Sequence, residues 1–347
     1  MEIQPRPRRR NLGEQSRLIF AMPIVGRDSK EAARRLRRGE TVAFPTETVY
    51  GLGAAAANPD AVAAMYELKR RPKTHPCIIH LHSFADAKKW AKVPKIAEQL
   101  AAAFMPGALS LILPSRKNTE DTVALRVPSH PLAQKMLAEF GEGIAAPSAN
   151  RFGKLSPTRA AHVFAEFADA ESLYILDGGP CEVGLESAIV SCLDGRVAVV
   201  RPGVISAAQI AEAAQTPLSP PPAVAAPGNL RNHYAPRKPF FVLPSDSFSA
   251  KNAKQFLQHL QKFSADAKDA ESFSQKPAVL SRFRPSAVAP ELWRRTAGNP
   301  REYARDLYAI LRELDATNAE CIVAEFPPDA PEWAAIRDRL SKAAGEK

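Results

Sequence analysis

Hydrophobic and polar positions follow two different spacings along the chain, and these spacings predict strands and helices in turn. From Asp28 to about Gln215, short aliphatic runs alternate with longer segments of helical periodicity. The strands are predicted over Thr41–Phe44, Cys77–Leu81, Leu109–Leu113, Val123–Val127, Ile144–Ala146, Leu173–Leu176, Ala188–Cys192 and Val197–Val200. Because the last two strands follow each other as a pair, the pattern predicts an α/β fold with a mixed sheet rather than a purely parallel one.

Capping residues mark where the helices begin. Asp28 precedes a helix that Gly39 ends, and Asn58 precedes a helix whose first position is Pro59. Three further helices are predicted over Pro94–Phe104, His130–Phe140 and Pro157–Phe167. These helices alternate with the strands, as expected of a layered α/β domain.

A proline-rich segment divides the chain. Residues 216–228 contain five prolines, which favours an extended linker over packed structure. Beyond it, strand and helix patterns predict a smaller, Rossmann-like α/β domain. Its strands are predicted over Phe240–Leu243, Val279–Leu280 and Cys321–Phe326, and its helices over Ala250–Phe263, Pro300–Ala316 and Glu332–Ala343. We therefore expect four parts: a basic, disordered extension over 1–27, an α/β domain over 28–215, a linker over 216–238 and a C-terminal domain over 239–347.

Composition narrows the class of protein. The net charge is +10, but residues 1–38 carry 11 basic and 4 acidic residues and so account for +7 of it. The remainder is nearly balanced, so charge alone does not indicate a nucleic-acid partner. The four cysteines are widely spaced and predict neither a zinc site nor a disulfide framework. This cysteine pattern makes a reducing cytoplasm the simplest setting. Apolar runs fall far short of the roughly 20 residues that cross a bilayer, so we expect no membrane span.

Polar segments join predicted strands to predicted helices, where α/β proteins often bind ligands. The segment from Phe44 to Gly53 offers hydroxyls and backbone amides, although a glycine-terminated turn is the simpler interpretation. Neither GxxxxGK[ST] nor GxGxxG is present, so a nucleotide would have to be bound by another device. The basic run Lys69–Lys73 ends a helix, where it either clamps phosphate or is solvated.

Arg126 lies inside a predicted apolar strand, so its charge needs a partner. That partner is either a protein carboxylate or a substrate carboxylate, which a guanidinium binds through two parallel hydrogen bonds. His80 and His82 share a strand face, and without nearby acidic or cysteine ligands they favour packing or substrate contact over a metal site.

The order of these motifs resembles that of a known family. The motifs PTETVYGLG, KxRP (Lys69–Pro72), TVALRVP, PSAN with SPT, GLESAIV and RPG occur in the order found in the YrdC-type family of L-threonylcarbamoyladenylate synthases. Two later segments, Asn232–Pro236 and Ala335–Leu340, resemble the long, two-domain form of that family. The resemblance covers about residues 28 to 345.

The resemblance implies an enzyme, a nucleotidyltransferase. Such enzymes combine L-threonine, bicarbonate and ATP, with Mg²⁺, into threonylcarbamoyl-AMP and pyrophosphate. The adenylate is the precursor for N6-threonylcarbamoyladenosine in certain tRNAs, so a downstream tRNA threonylcarbamoyl transferase is an implied partner. The implied catalytic fold is a twisted, open α/β structure around a basic cavity.

The resemblance also implies residue roles. L-Threonine would contact Thr48, His80, Arg126, Ala146 and Ser187. ATP would contact Lys69, Arg71, His75, Thr122, Ser148, Asn150, Ser156, Arg201 and Tyr234. Catalysis would then rest on positioning and on charge stabilisation by Lys69, Arg71 and Arg201, with no nucleophile and no protein ligand to the metal. Tyr234 follows the proline-rich segment 216–228, so we expect the linker to close over the cavity as a lid. His75 stands where the family usually has asparagine.

Two other functions fit parts of the sequence. The basic start and an expected basic cavity are also typical of an RNA-binding or ribosome-associated module, which would bind RNA, weakly or otherwise, without synthase activity. A carbamoyl-transfer domain of hydrogenase maturation is related, but the zinc-finger cysteines and acylphosphatase module of that architecture are missing here.

Overall fold

The computed structural model describes residues 22–117, 121–224, 227–228, 233–248, 256, 258 and 276–345, and these residues form two separate sheets. The larger sheet has ten strands: β1 (Ile24–Gly26), β2 (Val42–Phe44), β3 (Gly51–Ala55), β4 (Ile78–His80), β5 (Leu109–Pro114), β6 (Thr122–Arg126), β7 (Ile144–Ala146), β8 (Tyr174–Leu176), β9 (Ala188–Leu193) and β10 (Arg196–Arg201). Their spatial order is β1-β8-β2-β3-β7-β4-β6-β5-β9-β10. Strands β4 and β6 are parallel whereas β5 and β6 are antiparallel, which confirms the predicted mixed sheet.

Helices cover both faces of this sheet. They are α1 (Ser29–Arg37), α2 (Pro59–Lys69), α3 (Lys95–Phe104), α4 (Pro131–Phe140), α5 (Ala160–Glu166) and α6 (Ala207–Ala214). Side chains of β2 alternate between the two layers: Val42 and Phe44 pack with α1 and α4, and Ala43 packs with α2 and α5. The predicted caps are present, since the Asp28 and Asn58 side chains accept backbone hydrogen bonds at the starts of α1 and α2.

The smaller sheet contains β11 (Phe240–Leu243), β12 (Pro277–Ser281), β13 (Trp293–Arg295) and β14 (Cys321–Glu325). All neighbours are parallel and the order is β11-β14-β12-β13, which confirms the predicted Rossmann-like class. Helix α7 (Pro300–Asp315) packs against β12 and β14 through an apolar stripe that includes Leu307, Leu311 and Leu314, and α8 (Ala334–Ala344) packs against β11. Short 3₁₀ turns lie over Phe84–Lys89, Ser245–Phe248, Pro290–Leu292 and Pro331–Trp333.

Residues 22–27 differ from expectation. They were assigned to a disordered extension, but β1 within them pairs in parallel with β8. The cause is backbone hydrogen bonding: without β1, the edge of β8 would present unpaired N–H and C=O groups. The rest of the predicted extension, residues 1–21, lies outside the described residues, as does most of the helix predicted over 250–263.

Two other elements, β3 and α5, differ from the sequence-based prediction. The second half of the Phe44–Gly53 segment is not a turn but the start of β3, because its glycines let β2 and β7 side chains approach closely. A Cβ at Gly53 would lie 2.7 Å from Ile144 Cγ2 and 2.8 Å from Phe44 Cε1. Helix α5 begins three residues later than predicted, because Pro157 O and Thr158 O accept hydrogen bonds from Tyr50 N and Cys181 N. Helix α6 and strand β13 were not predicted.

The two sheets are held together by polar contacts and by a close backbone approach. Arg312 of α7 donates to the Leu155 carbonyl and to Glu166 across the boundary. Gly184, at a φ of +78°, lies so close to α7 that a Cβ would be 2.4 Å from the Arg305 carbonyl oxygen. Among the described residues, no helix is both long and apolar enough to cross a membrane.

Replacing Gly184 by alanine should loosen this contact. Gly179 has a similar φ of +82° but no heavy atom within 4 Å of a Cβ, so Gly179→Ala measures the backbone cost alone, about 1 kcal/mol. Gly184→Ala adds a clash with the backbone of α7 and should lower the free energy of unfolding by about 3 kcal/mol. Urea denaturation of both variants tests this, and equal losses would contradict the proposed contact.

Candidate active site

Polar residues of the first domain and residues of the linker meet in a narrow cavity of about 50 Å³ beside β4, β6 and β7. Eight of the residues implied by the family resemblance line it: His80, Arg126, Ala146, Ser187, Arg71, Ser148, Arg201 and Tyr234. They come from positions spread over more than 160 residues of sequence. Since strands β4, β6 and β7 are neighbours in the sheet, the fold brings their ends together.

Six of the implied residues do not line this cavity. Thr48 lies behind Thr46, whose hydroxyl is 2.8 Å from that of Thr48, so Thr46 is the threonine at the cavity. Thr122 lies at the opposite end of β6 from Arg126, about 13 Å away at the usual rise per residue, and lines a separate depression beside the proline-rich segment. The other four are Lys69, His75, Asn150 and Ser156.

Arg126 has the protein carboxylate that its burial demanded. Its Nη2 lies 2.6 Å from Glu47 Oε1, and its Nε donates to the Gly107 carbonyl. Glu47 also accepts from the backbone N–H of Ser129 at 3.0 Å, and although burial alone raises a carboxyl pKa, Arg126 holds the pKa of Glu47 below its usual range. Nη1 of Arg126 has no partner among the described residues, so the same guanidinium can still bind an incoming carboxylate.

His80 is held neutral next to that cation. Its Nδ1 is 3.2 Å from the Ile78 carbonyl, and its ring meets Phe44 edge-on at 5.6 Å. Burial, followed by the charge of Arg126, lowers the pKa of His80 to about 3. A neutral imidazole can donate or accept a hydrogen bond without adding charge to the cavity. His82 lies beyond the end of β4 and is exposed, so the two histidines form no pair.

Lys69 shapes the cavity from behind. Its Nζ donates to the carbonyls of Ser148 and Asn150 at 2.8 and 2.5 Å, which fixes the loop after β7. Asn150 in turn donates to the carbonyls of Arg151 and Lys154. Burial, followed by the charge of Arg71, lowers the pKa of Lys69 to about 7. Lys69 therefore positions Ser148 at the cavity rather than facing it.

Two arginines complete the cationic wall. Arg201 donates to the Ser187 carbonyl through Nε and Nη2 and to the Pro227 carbonyl through Nη1, so it ties the linker to β10. Arg71 donates to the Pro76 carbonyl at 2.8 Å, while its buried Nε has no partner among the described residues. Arg71 therefore keeps hydrogen-bonding capacity for a ligand, and in this conformation Arg201 has little left.

Glu186 is a buried carboxylate at the wall of the cavity. Ser156 donates to its Oε1 at 2.5 Å, and from the C-terminal part of the chain Tyr308 and Arg339 donate to its Oε2 at 3.1 and 2.8 Å. Although burial alone raises a carboxyl pKa, Arg339 and then Arg201 lower the pKa of Glu186 to about 2. Ser156 thus contacts Glu186 and does not face the cavity. The ion pair between Glu186 and Arg339 of α8 connects the cavity wall to the C-terminal domain.

An aromatic row crosses the same boundary. The row begins with His75, whose ring centroid lies 5.4 Å from that of Phe152. The Phe152 ring lies 6.0 Å from His233, and His233 lies 4.1 Å from Tyr234. The row ends at Tyr308, 6.0 Å beyond Tyr234. His75 therefore packs on Phe152 at the start of this row instead of facing the cavity. Tyr234 Oη and His233 Nδ1 are buried without a partner among the described residues, and both residues line the cavity.

Sequence reasoning missed several residues of the site. Thr46 and Glu186 stand inside quoted motifs, next to residues that were singled out. Glu186 gave a signal, as an acidic residue two positions before the buried strand β9, but its partners Tyr308 and Arg339 are more than 100 positions away. His233 directly precedes Tyr234 within the quoted segment Asn232–Pro236, but its position in the sequence did not by itself indicate a place in the site.

Comparisons with known proteins identify the family. A model described as "Telomere recombination" (Sua5, YciO and YrdC) matches residues 34–203, and one described as "Threonylcarbamoyl-AMP synthase, C-terminal domain" matches residues 205–345. The chain is 37% identical to threonylcarbamoyl-AMP synthase of Bacillus subtilis, over 91% of this chain and 92% of that protein. The chain belongs to the threonylcarbamoyl-AMP synthase family.

Other members of the threonylcarbamoyl-AMP synthase family agree over the full two-domain length. The Pyrococcus abyssi protein is 36% identical over 90% of this chain and 93% of its own. The crystal structure of P. abyssi Sua5 with L-threonine matches with a TM-score of 0.77 at 33% identity, covering 93% of this chain and 97% of that one. A P. abyssi variant with an adjacent histidine and tyrosine replaced by alanine matches equally well, over 94% and 96%.

Because His80 is neutral in the folded protein, we predict that the free energy of unfolding of this threonylcarbamoyl-AMP synthase family member depends on pH. An unfolded histidine takes up a proton below about pH 6.5, whereas native His80 does so only near its pKa of about 3. The contribution of His80 to the free energy of unfolding should therefore be complete above pH 6.5. It should decrease as the pH drops towards 3, by at most about 1.4 kcal/mol per pH unit.

Urea denaturation between pH 7.5 and 4.5 measures the effect. His80→Gln should make the fall shallower, and His82→Gln, at an exposed position, should leave it unchanged. Identical slopes for wild type and His80→Gln would show that His80 is not held neutral by burial.

Proposed function

We propose that this protein forms threonylcarbamoyl-AMP and pyrophosphate from L-threonine, bicarbonate and ATP, as a nucleotidyltransferase that supplies the precursor for threonylcarbamoyladenosine in tRNA. One observation carries the proposal: a buried guanidinium, Arg126, keeps a nitrogen available at a cavity that also holds a neutral histidine and two further arginines. That set fits an amino-acid carboxylate together with a polyphosphate. Family membership over both parts of the chain supports the same reaction.

The threonine end of the cavity is built around Arg126. Its Nη1 binds the threonine carboxylate, while Glu47 holds the guanidinium in place from the other side. His80 and the hydroxyls of Thr46 and Ser187 supply uncharged partners for the threonine hydroxyl and for the carbamate. Ala146 leaves room for the substrate, because its side chain is a single methyl group.

The ATP end is cationic. Arg71 and Arg201 lie beside Ser148, whose loop Lys69 fixes, and their charges suit the phosphates. For Arg201 to turn towards a phosphate, its bond to the Pro227 carbonyl must break, which couples nucleotide binding to the linker. Asn150 and Ser156 would support the ATP end from behind the cavity, through their bonds to the loop after β7 and to Glu186. His75 and Thr122 would contact ATP only where it extends beyond the cavity.

The reaction needs little covalent help from side chains. The uncharged amine of threonine joins the bicarbonate carbon and water leaves, giving a carbamate. A carbamate oxygen then attacks the α-phosphorus of ATP, and the bond to pyrophosphate breaks. Glu186 is fully hydrogen-bonded and strongly acidic, so it is no general base. Positioning by Arg126 and charge stabilisation by Arg71 and Arg201 are the protein's contribution.

Mg²⁺ would enter this reaction with ATP. The described residues hold no group of three histidine, cysteine or acidic side chains suited to a metal, and guanidinium groups cannot ligate one. An ion carried on phosphate oxygens fits this donor set, and it would neutralise part of the phosphate charge.

The linker would act as a lid. Pro227, Gly228, His233 and Tyr234 all line the cavity, which at about 50 Å³ is far smaller than the roughly 300 Å³ or more of sites that hold drug-sized ligands. ATP can therefore enter only when this segment moves away. On this proposal residues 28–215 form the catalytic domain, 216–238 the linker and lid, and 239–347 the C-terminal domain that anchors the lid through Arg339 and Tyr308.

Two further points extend the proposal. The mixed anhydride product is labile, so direct transfer to a tRNA threonylcarbamoyl transferase in the cytoplasm would protect it. An RNA-binding module without synthase activity is the competing function, and only the basic N-terminal region and the cationic cavity favour it.

The first experiment measures pyrophosphate release by the purified full-length protein with Mg·ATP. We expect release only when both bicarbonate and L-threonine are present, with a product of the mass of threonylcarbamoyl-AMP. Salt-sensitive RNA binding by folded protein that releases no pyrophosphate would overturn the proposal in favour of the RNA-binding module.

Arg126→Ala tests the threonine end. Losing a charge-assisted contact should cost at least about 2 kcal/mol, so kcat/KM for threonine should fall at least about 30-fold while KM for ATP changes little. Glu47→Gln keeps the charge of Arg126 but not its fixed orientation, and it should raise KM for threonine by a smaller factor. Arg27→Ala, at an exposed surface pair with Asp177, is the control. Unchanged threonine dependence in folded Arg126→Ala would refute the assignment.

A further inference from the structure

The C-terminal domain has a cavity of its own, which the synthase reaction does not use. It measures about 460 Å³ and lies at the carboxyl ends of β12 and β13, against α7. Leu280, Arg282, Phe283, Arg295, Gly298 and Tyr303 are among the residues that line it. This volume falls in the range of pockets that hold small organic ligands.

This cavity lies next to the position at which parallel α/β folds bind ligands. The chain leaving β12 continues to β13 on one side, whereas the chain leaving β14 continues into α8, which packs against β11 on the other side. The connections therefore diverge between β12 and β14. A smaller cavity of about 60 Å³, lined by Glu325 of β14 and by Tyr303, opens at the carboxyl ends of these two strands and adjoins the larger cavity. Ligands of open α/β sheets bind at such switch points.

A buried hydroxyl in the cavity has no partner. Tyr303 is 6% exposed, its Oη has no hydrogen bond among the described residues, and it lines both this cavity and a smaller one that adjoins it towards Trp333. Leaving a buried hydroxyl unpaired is unfavourable by about 1 to 3 kcal/mol. A ligand that supplies a hydrogen bond would remove this penalty.

The charged groups at the cavity favour an anion. Arg295 is exposed and its side chain has no hydrogen-bond or ion-pair partner among the described residues. Arg282 is fixed at the cavity because its Nη2 lies 2.6 Å from Glu325 Oε1 and its backbone N–H donates to Oε2. Asp306 also lines the cavity, but it is paired with Arg305 at 2.7 Å. One unpaired positive charge therefore remains.

The rest of the wall suits a flat ring. Phe283 is 60% exposed, which is unusual for a phenyl side chain, and Leu280, Leu307 and Ile310 supply apolar surface. Gly298 leaves one side open, since a Cβ there would meet no heavy atom within 4 Å.

We propose that this cavity binds a mononucleotide, separately from the catalytic cavity. The base packs on Phe283 and the apolar surface, a ribose hydroxyl pairs with Tyr303 Oη, and the phosphate is held by Arg295 with Arg282 beside it. A mononucleotide matches the cavity because it combines a flat ring, hydroxyl groups and an anion in one molecule of this size. The proposal does not depend on the identity of the reaction in the other domain.

Photolabelling of the full-length protein with 8-azido-AMP tests the proposal, because it reports where the probe binds. Mass spectrometry of the proteolytic peptides should find label within residues 276–316, and unmodified AMP should compete for it. Label confined to peptides of residues 28–215 would overturn the proposal, whether or not the protein is an active synthase.

Three variants sharpen the test. Tyr303→Phe removes only the unpartnered hydroxyl, so the fold should keep its stability while competition by AMP weakens several-fold. Arg295→Ala and Gly298→Leu should each weaken it at least about tenfold, by loss of the cation and by filling the cavity. Arg284→Ala makes the same charge change at an exposed residue that does not line the cavity, and it should have no effect. Equal labelling of all four would overturn the proposal.

Discussion

The structure depends on one buried carboxylate, Glu186, which lies where the polar cavity of the first domain meets the second domain. Placing its charge away from water is costly unless every oxygen is paired, and Ser156, Tyr308 and Arg339 provide that pairing from both domains. Because the Arg339 side chain is fully buried as well, neither charge can be left alone. The two domains therefore cannot separate without exposing or unpairing this group, and the cavity wall is fixed by a contact that belongs to both.

The other charges of the cavity are arranged by the same rule. Arg201 and Lys69 donate hydrogen bonds to backbone carbonyls, and two nitrogens of Arg126 donate to Glu47 and to the Gly107 carbonyl. These bonds hold long side chains in single orientations before substrate arrives, so little conformational entropy remains to be lost on binding. The bond from Arg201 to Pro227 has a second consequence, because it makes the linker part of the cavity wall.

Elements with a strong local signal were predictable. Helix α7 has an asparagine cap, Pro300 at its first position and a continuous apolar stripe, and its bounds differ from the predicted ones by one residue. Strand β3 was missed because its sequence, GLGAA, carries no β-branched residue. It forms because glycines allow close packing against Phe44 of the neighbouring strand β2 and against Ile144, which is distant in sequence. Strand β1 likewise depends on the unpaired edge of β8.

For the site, the order of short motifs determined the family and the reaction, since residue types and spacings are themselves sequence properties. Burial of Arg126 was also predictable, because a lone charge in an apolar strand requires a partner. Only the tertiary structure decided that this partner is Glu47, that Lys69 and Ser156 support the cavity without lining it, and that Thr122 lies at the far end of its strand. Those outcomes depend on which strands are neighbours and which atoms approach within 3 Å, and no local pattern of residues encodes contacts between segments 30 or more positions apart.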